Sequence, residues 1–264
     1  MFDYLVNEYN PAPRLAAPAR PAKPGRLQRR LPYSTSVVVD LPETVAGLRE
    51  RQSKHFWSEL ARRQRRFTEA HGPLAFTVTS DPDVLRRRLP DVRALYARRW
   101  ADEYTSLPWK SERGFAPYAD ALVDLAPQGR GALALLDGDD RLLSFGYCLV
   151  EAPWCYVYQH AADPDPRYRP YGPGKLLVAN LLTALVERGD VRHVDLMLGD
   201  AEYKREWESW RRPVELVLDA PDTPLGRVQL AAATAYHRAR HRLQFESPRT
   251  RALLKRGLRV VVHQ

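Results

Sequence analysis

Residues 154–198, WCYVYQHAADPDPRYRPYGPGKLLVANLLTALVERGDVRHVDLML, decide the reading of this chain. WCYVYQH at 154–160 has the aromatic and β-branched content of a strand. A loop rich in proline follows and ends in Arg169-Pro-Tyr-Gly172-Pro-Gly174. From there GKLLVANLLTALVER, 174–188, repeats apolar side chains at helical spacing until Gly189 stops it. HVDLML at 193–198 is a further strand. A glycine-rich loop between a strand and a helix lets backbone come close to an anion, and the free N–H groups and positive dipole end of the helix face it. A pyrophosphate fits such a loop, although Pro173 lacks an N–H and removes one donor.

Working upstream, ALALL (132–136), Asp137-Gly-Asp-Asp140 and LLSFGYCLV (142–150) read as a β-hairpin with a glycine-containing turn. Ala152-Pro153 turns the chain into the strand at 154–160. LAFTVT at 74–79 is an earlier strand. Asp81-Pro-Asp opens a helix to about residue 103 that Pro90 should kink or split, and a shorter helix covers 115–125. Asp40-Leu-Pro-Glu43 carries a helix-start pattern with Asp40 as N-cap. Ser53 opens a second helix, rich in arginine (Arg62, Arg63, Arg65, Arg66), that Gly72 ends. Downstream, 200–210 is a short helix or loop and VELVLD at 214–219 is a strand. A long Ala- and Arg-rich helix, a second helix and a VVV strand are expected after Pro224. This mixture of types implies an α/β (α+β) class.

The chain has 264 residues, 44% hydrophobic and 28% charged, enough to bury a core and too rich in apolar residues for wholesale disorder. No apolar run approaches the roughly 20 residues of a membrane span, and MFDYLVNEYN lacks the layout of a signal peptide. A cytoplasmic location is therefore expected, with Cys148 and Cys155 as reduced core residues. The net charge of +9 is unevenly placed: residues 1–72 stand at +6, 73–220 at −4 and 221–264 at +7. Such a balance favours polyanions and phosphorylated ligands as partners. Residues 10–32 hold six prolines and six Lys/Arg with no acidic residue, which reads as a flexible or wrapped arm. The expected organisation is a Pro/Arg-rich arm at 1–39, a catalytic domain at 40–220 and a basic helical extension at 221–264 packed on the same domain.

The order strand, two helices, three antiparallel strands, glycine loop, helix, strand, short helix, strand resembles the GNAT (Gcn5-related N-acetyltransferase) superfamily. More narrowly it resembles its Fem-like, cellulose-biosynthesis-type branch. The resemblance rests on Arg169 to Gly174 and on Asp195 to Gly199 with Glu202-Tyr203-Lys204, within a match of about residues 40–219. It implies a mixed, mostly antiparallel sheet flanked by helices, here with extra N- and C-terminal helices. It also implies that Arg169, Tyr171, Gly172, Gly174 and Lys175 hold the pyrophosphate of acetyl-CoA or another acyl-CoA. Tyr203 is the residue implied to protonate the departing thiolate, and Lys204 to stabilise an oxyanion or a phosphate.

An amine acceptor has a pKa near that of lysine, about 10, so acyl transfer to it requires a proton acceptor. His160, Asp195 and Glu202 are the candidates at the strand ends. No metal is called for. The expected reaction is direct transfer from acyl-CoA to a small-molecule amine. Neither cysteine has the histidine context of a nucleophile. The main alternative keeps the fold and takes the acyl group from an aminoacyl-tRNA, as Fem-like proteins do, and the basic ends favour it. A third reading is a non-catalytic nucleic-acid or partner-binding module. Fem-like relatives commonly have two GNAT-like halves, and a homodimer or another partner is one way to supply the second here. Trp100, Tyr104, Trp109, Tyr118, Trp207 and Trp210 border the expected acceptor cleft, where such residues are more often core.

Overall fold

Asp139 and Asp140, both at φ 53°, close the hairpin of Gly131–Gly138 (β4) and Arg141–Glu151 (β5). Two successive left-handed residues match the twist of the strands. The turn is thus made by aspartates, and Gly138 serves packing. A Cβ on it would lie 2.8 Å from Phe67 Cε1 and 2.9 Å from Leu74 Cδ2. The computed structural model describes residues 6–8, 24–101, 108–198 and 201–245, which divide into two compact units. The larger spans Val37–Trp210, and the smaller joins residues before and after it in sequence.

In the larger unit a cis Ala152–Pro153 bond leads into Trp154–Ala162 (β6), antiparallel to β5. Ala75–Thr79 (β3) lies antiparallel to β4 at the other edge. Pro173–Arg188 (α5) crosses from β6 to His193–Leu198 (β7), which runs parallel to β6, as a parallel pair requires a crossover. The neighbour order is β7, β6, β5, β4, β3.

Both faces of this sheet are covered, which explains why ALALL alternates between two cores rather than between core and solvent. Ala132, Ala134 and Leu136 join the core under α5, together with Leu48 of Val45–Glu50 (α1) and Leu60 of Lys54–His71 (α2). Leu133 and Leu135 join the opposite core, under Pro82–Arg99 (α3) and Glu112–Leu125 (α4). Trp109, at 2% exposure, is the largest side chain fully buried there.

Ser53 caps α2, and Gly72 ends it at φ 85°. The Asp40 N-cap expected from sequence is corrected: Thr44 caps α1, and Asp40 is the last residue of Arg26–Asp40 (β2). Its carboxylate binds His193 Nδ1 at 2.8 Å and accepts from Trp210 Nε1 at 3.0 Å. Pro90 does not split α3, which continues through it with Leu85, Leu89, Val92 and Leu95 buried.

The smaller unit pairs Val6–Glu8 (β1), Trp210–Pro221 (β8) and the first part of β2, neighbours in that order, beside Pro224–Phe245 (α7). Leu31, Leu216, Leu218, Ala220 and Leu230 form its core. Residues 26–32, expected in a flexible arm, therefore belong to a strand. Leu27 and Leu31 supply the apolar positions, and Arg26 pairs with Asp219 at 2.7 Å. The second C-terminal helix and the VVV strand lie outside the described residues, as do residues 10–23 of the arm. No described helix is long and apolar enough to cross a membrane.

Candidate active site

The pairing of β6 with β7 covers only Trp154–Tyr156 against His193–Asp195. Beyond it the two strands are no longer paired, and a cleft of about 860 Å³ is lined by the free end of β6, the 169–175 loop, Leu196 to Leu198 and Glu202–Arg205 (α6). Two backbone irregularities shape it. In β6 the register passes from Cys148↔Val157 to Tyr147↔Gln159, so Tyr158 is an extra, bulged residue. Cys155 and Val157 precede the bulge on the α5 face, and Ala161 follows it on the opposite face. His160, paired with Gly146, is thereby placed on the α5 side, which an unbroken alternation would deny it. In β7 Met197 has φ 61°, an outlier for a side chain of this kind.

Polar groups fix that outlier from both sides. The Asp195 carboxylate, fully buried, accepts from Met197 N at 2.7 Å. Lys204 Nζ donates to the carbonyls of Met197 at 3.1 Å and Leu198 at 2.6 Å. Burial pulls the Lys204 pKa down to about 8, opposed by the nearby Asp195 charge. Of the two, Lys204 reaches the cleft wall; Asp195 lies outside its lining.

Tyr203 Oη and His160 Nδ1 meet at 3.2 Å within the cleft. Burial pushes the Tyr203 hydroxyl up to about 12, so it keeps its proton through neutral pH. Burial, with the charges of Lys204 and Arg99, pulls His160 down to about 4, so its ring is neutral. His160 Nε2 is buried with no hydrogen-bond partner among the described residues. Glu202 is exposed on the cleft rim.

The glycine loop completes the cleft. Arg169–Tyr171 form a turn of 3-10 helix, and Gly172, at φ 60° and ψ 55°, begins α5 without a side-chain cap. Lys175 and Leu176 donate their backbone N–H groups to Gly172 O. A Cβ on Gly174 would lie 3.2 Å from His160 Cε1, which ties the loop to the tyrosine–histidine pair. A Cβ on Gly172 would lie 2.7 Å from Arg63 Nη1. Arg63 is held through Nε by Glu59 at 2.9 Å, so an arginine of α2 lies over the loop. The residues fit an anionic group: a left-handed glycine, an uncapped helix N-terminus and Arg169 border one space.

Of the residues expected from sequence, His160, Glu202, Tyr203, Lys204, Arg169, Gly172, Gly174 and Lys175 line this one cleft. Lys175 is engaged by Glu206 at 2.5 Å. Tyr171 turns away from the cleft, its ring 5.3 Å from Phe67 and 5.4 Å from His71. Trp109 and Trp207 are core, and Trp100 lines the cleft. Tyr104 lies outside the described residues. Arg63 and Arg99 were not singled out in the sequence, since nothing in a helix rich in arginine says which one faces a distant loop.

A family model described as acetyltransferase (GNAT) domain matches residues 54–205. A conserved protein of unknown function from Bacteroides thetaiotaomicron aligns at 11% identity and TM-score 0.49, covering 75% of this chain and 63% of that one. FemX aligns at 11% identity and TM-score 0.48, covering 72% and 62% respectively. The ribosomal-protein-S18-alanine N-acetyltransferase of Escherichia coli aligns at 18% identity and TM-score 0.35, covering 56% and 94%. The chain thus spans less than two thirds of the first two of these structures. No curated protein matches it.

Proposed function

This chain belongs to the acetyltransferase (GNAT) domain family, and on that premise we propose that it is an N-acyltransferase that moves an acyl group from acyl-CoA directly to an amine. The observation that carries the reading is the parting of β6 from β7 with the Tyr203–His160 pair and the Gly172 loop on one cleft. The loop, Arg169 and the N-terminus of α5 hold the donor's pyrophosphate, and Arg63 adds a cation from α2. The amine nitrogen attacks the thioester carbon, a C–N bond forms and the C–S bond breaks. Tyr203 gives its proton to the departing sulfur. With Nδ1–H of neutral His160 donating to the Tyr203 oxygen, the tyrosine proton stays directed at the leaving group. Glu202, the carboxylate open to solvent on the cleft rim, takes the proton the amine loses.

Lys204 and Asp195 act by position. They lock the Met197 turn that keeps β7 away from β6, and with it the cleft. The basic ends of the chain favour a second donor, an aminoacyl-tRNA, on the same fold. Thermal stabilisation separates the two. A saturable shift with acetyl-CoA or longer acyl-CoAs is expected. No shift with any acyl-CoA, together with a salt-dependent preference for charged over uncharged tRNA, would replace the acyl-CoA reading by the tRNA reading.

A further inference from the structure

Two side-chain donors on the cleft wall, those of Arg99 and Trp100, have no carboxylate or carbonyl partner among the described residues. Trp100, which caps the C-terminus of α3, lines the cleft, and its Nε1–H is buried with no hydrogen-bond partner among the described residues. A buried indole N–H usually finds an acceptor, because without one it forfeits the hydrogen bond it made to water. Over the Trp100 ring, 4.4 Å from its centroid, lies the Arg99 guanidinium, which also lines the cleft. Its neighbour Arg98 is paired with Asp163 at 3.2 Å, and Asp163 is shared with Arg141 at 3.0 Å. Among the described residues no carboxylate is paired with Arg99. Its charge is felt at both His160 and Tyr203.

The other cations of the cleft are committed. Lys175 is bound to Glu206, Lys204 gives two of its N–H groups to carbonyls, and Arg169 belongs to the loop assigned to the donor. A guanidinium fork beside an indole N–H that lacks an acceptor among the described residues suits one planar monoanion. A purely cationic acceptor would instead meet Arg99 and Lys204 as like charges, offset only by the exposed Glu202.

We propose that Arg99 and Trp100 Nε1 bind a carboxylate of the acceptor, so that the substrate is a small amine carrying a carboxylate, of the amino-acid class. This rests on the acyltransferase reading for the identity of the reaction, and it makes Arg99 a determinant of acceptor specificity. Anchored there, the acceptor would present its amine toward the Tyr203–His160 pair, and the same anchor would exclude amides and simple amines.

Calorimetric titration of the full chain tests this without turnover. The probes are N-acetyl derivatives of glycine, phenylalanine and glutamine, each as the free acid and as the primary amide. At least one acid is expected to bind tenfold or more tightly than its amide. Arg99→Gln brings that ratio close to one, and Trp100→Phe, which keeps a ring and loses the N–H, lowers it several-fold with an unchanged melting temperature. Equal binding of acid and amide in every pair overturns the proposal, as does binding of no acid, or an acid preference that survives Arg99→Gln. Acetyl-CoA titrated in the same series keeps the two readings apart. Acid preference without acetyl-CoA binding removes the donor reading alone, and acetyl-CoA binding without acid preference removes this one alone.

Discussion

Lys204→Met perturbs a buried ammonium whose pKa lies near 8 in the folded chain against 10.5 for the free side chain. Because the folded form releases its proton first, the unfolded chain binds more protons between those values, and stability rises with pH across the window. From pH 7 to pH 9.5 the two pKa values imply a gain of about 2 kcal/mol. The gain requires no loss of structure, since a neutral amine keeps two N–H groups for the carbonyls of Met197 and Leu198. Other groups oppose it. The Cys148 thiol is pushed up by Cys155 and by burial, and Tyr147 and Tyr158 are pushed up by burial, so each favours the protonated folded form and loses stability as pH rises. All three are present in the variant too, and the difference between the two stability curves isolates Lys204. Urea unfolding at half-unit steps from pH 7 to 9.5 measures it. The expected result is a difference curve that moves by about 2 kcal/mol in favour of the wild type with rising pH. A flat difference would show that Lys204 is not held in a desolvated site, and with it the account of the Met197 turn would fall.

Tyr203→Phe is expected to lower kcat by about 10²–10⁴-fold with acyl-CoA binding nearly unchanged, the range typical of a lost general acid; equal loss of both, read from kcat and KM, removes Tyr203 from that role. His160 is neutral above about pH 4, so the pH profile of kcat/KM should carry no limb near 6.5 that disappears in His160→Asn. Gly172→Ala places a Cβ at φ 60° and 2.7 Å from Arg63 Nη1. It should cost roughly 1–3 kcal/mol by strain and weaken acetyl-CoA binding by displacing Arg63, checked by melting and titration. Gly138→Ala drives a Cβ into Phe67 and should destabilise by about 1–3 kcal/mol with the cleft chemistry intact.

Most of the architecture was readable before any coordinate. Apolar spacing at 174–188, Ser53 and Gly72 as helix ends, and the hairpin at 131–151 all rest on contacts close in sequence, where residue type limits backbone conformation directly. The misplaced features have tertiary causes. Asp40 carries a capping pattern, but its carboxylate is taken by His193 and Trp210 from more than 150 positions away. Residues 26–32 look like a solvated arm until Leu27 and Leu31 find Leu216 and Leu218.

From Ser53 onward the sequence alone determined the order of the described strands and helices, the glycine loop and the residue types on which an acyl transfer can run. These follow from local propensity and from chemistry that a side chain carries wherever it lies. Only the tertiary structure decided which of them meet. The bulge at Tyr158 turns His160 toward Tyr203, the pairing of β7 with β6 ends at Asp195, whose buried carboxylate holds the Met197 backbone, and Tyr171 is drawn away by Phe67 and His71. Arg63 and Arg99, two arginines among many, gain their meaning from what they face. Facing is fixed by strand register and helix packing, which join residues far apart in the chain and leave no mark in either segment read by itself.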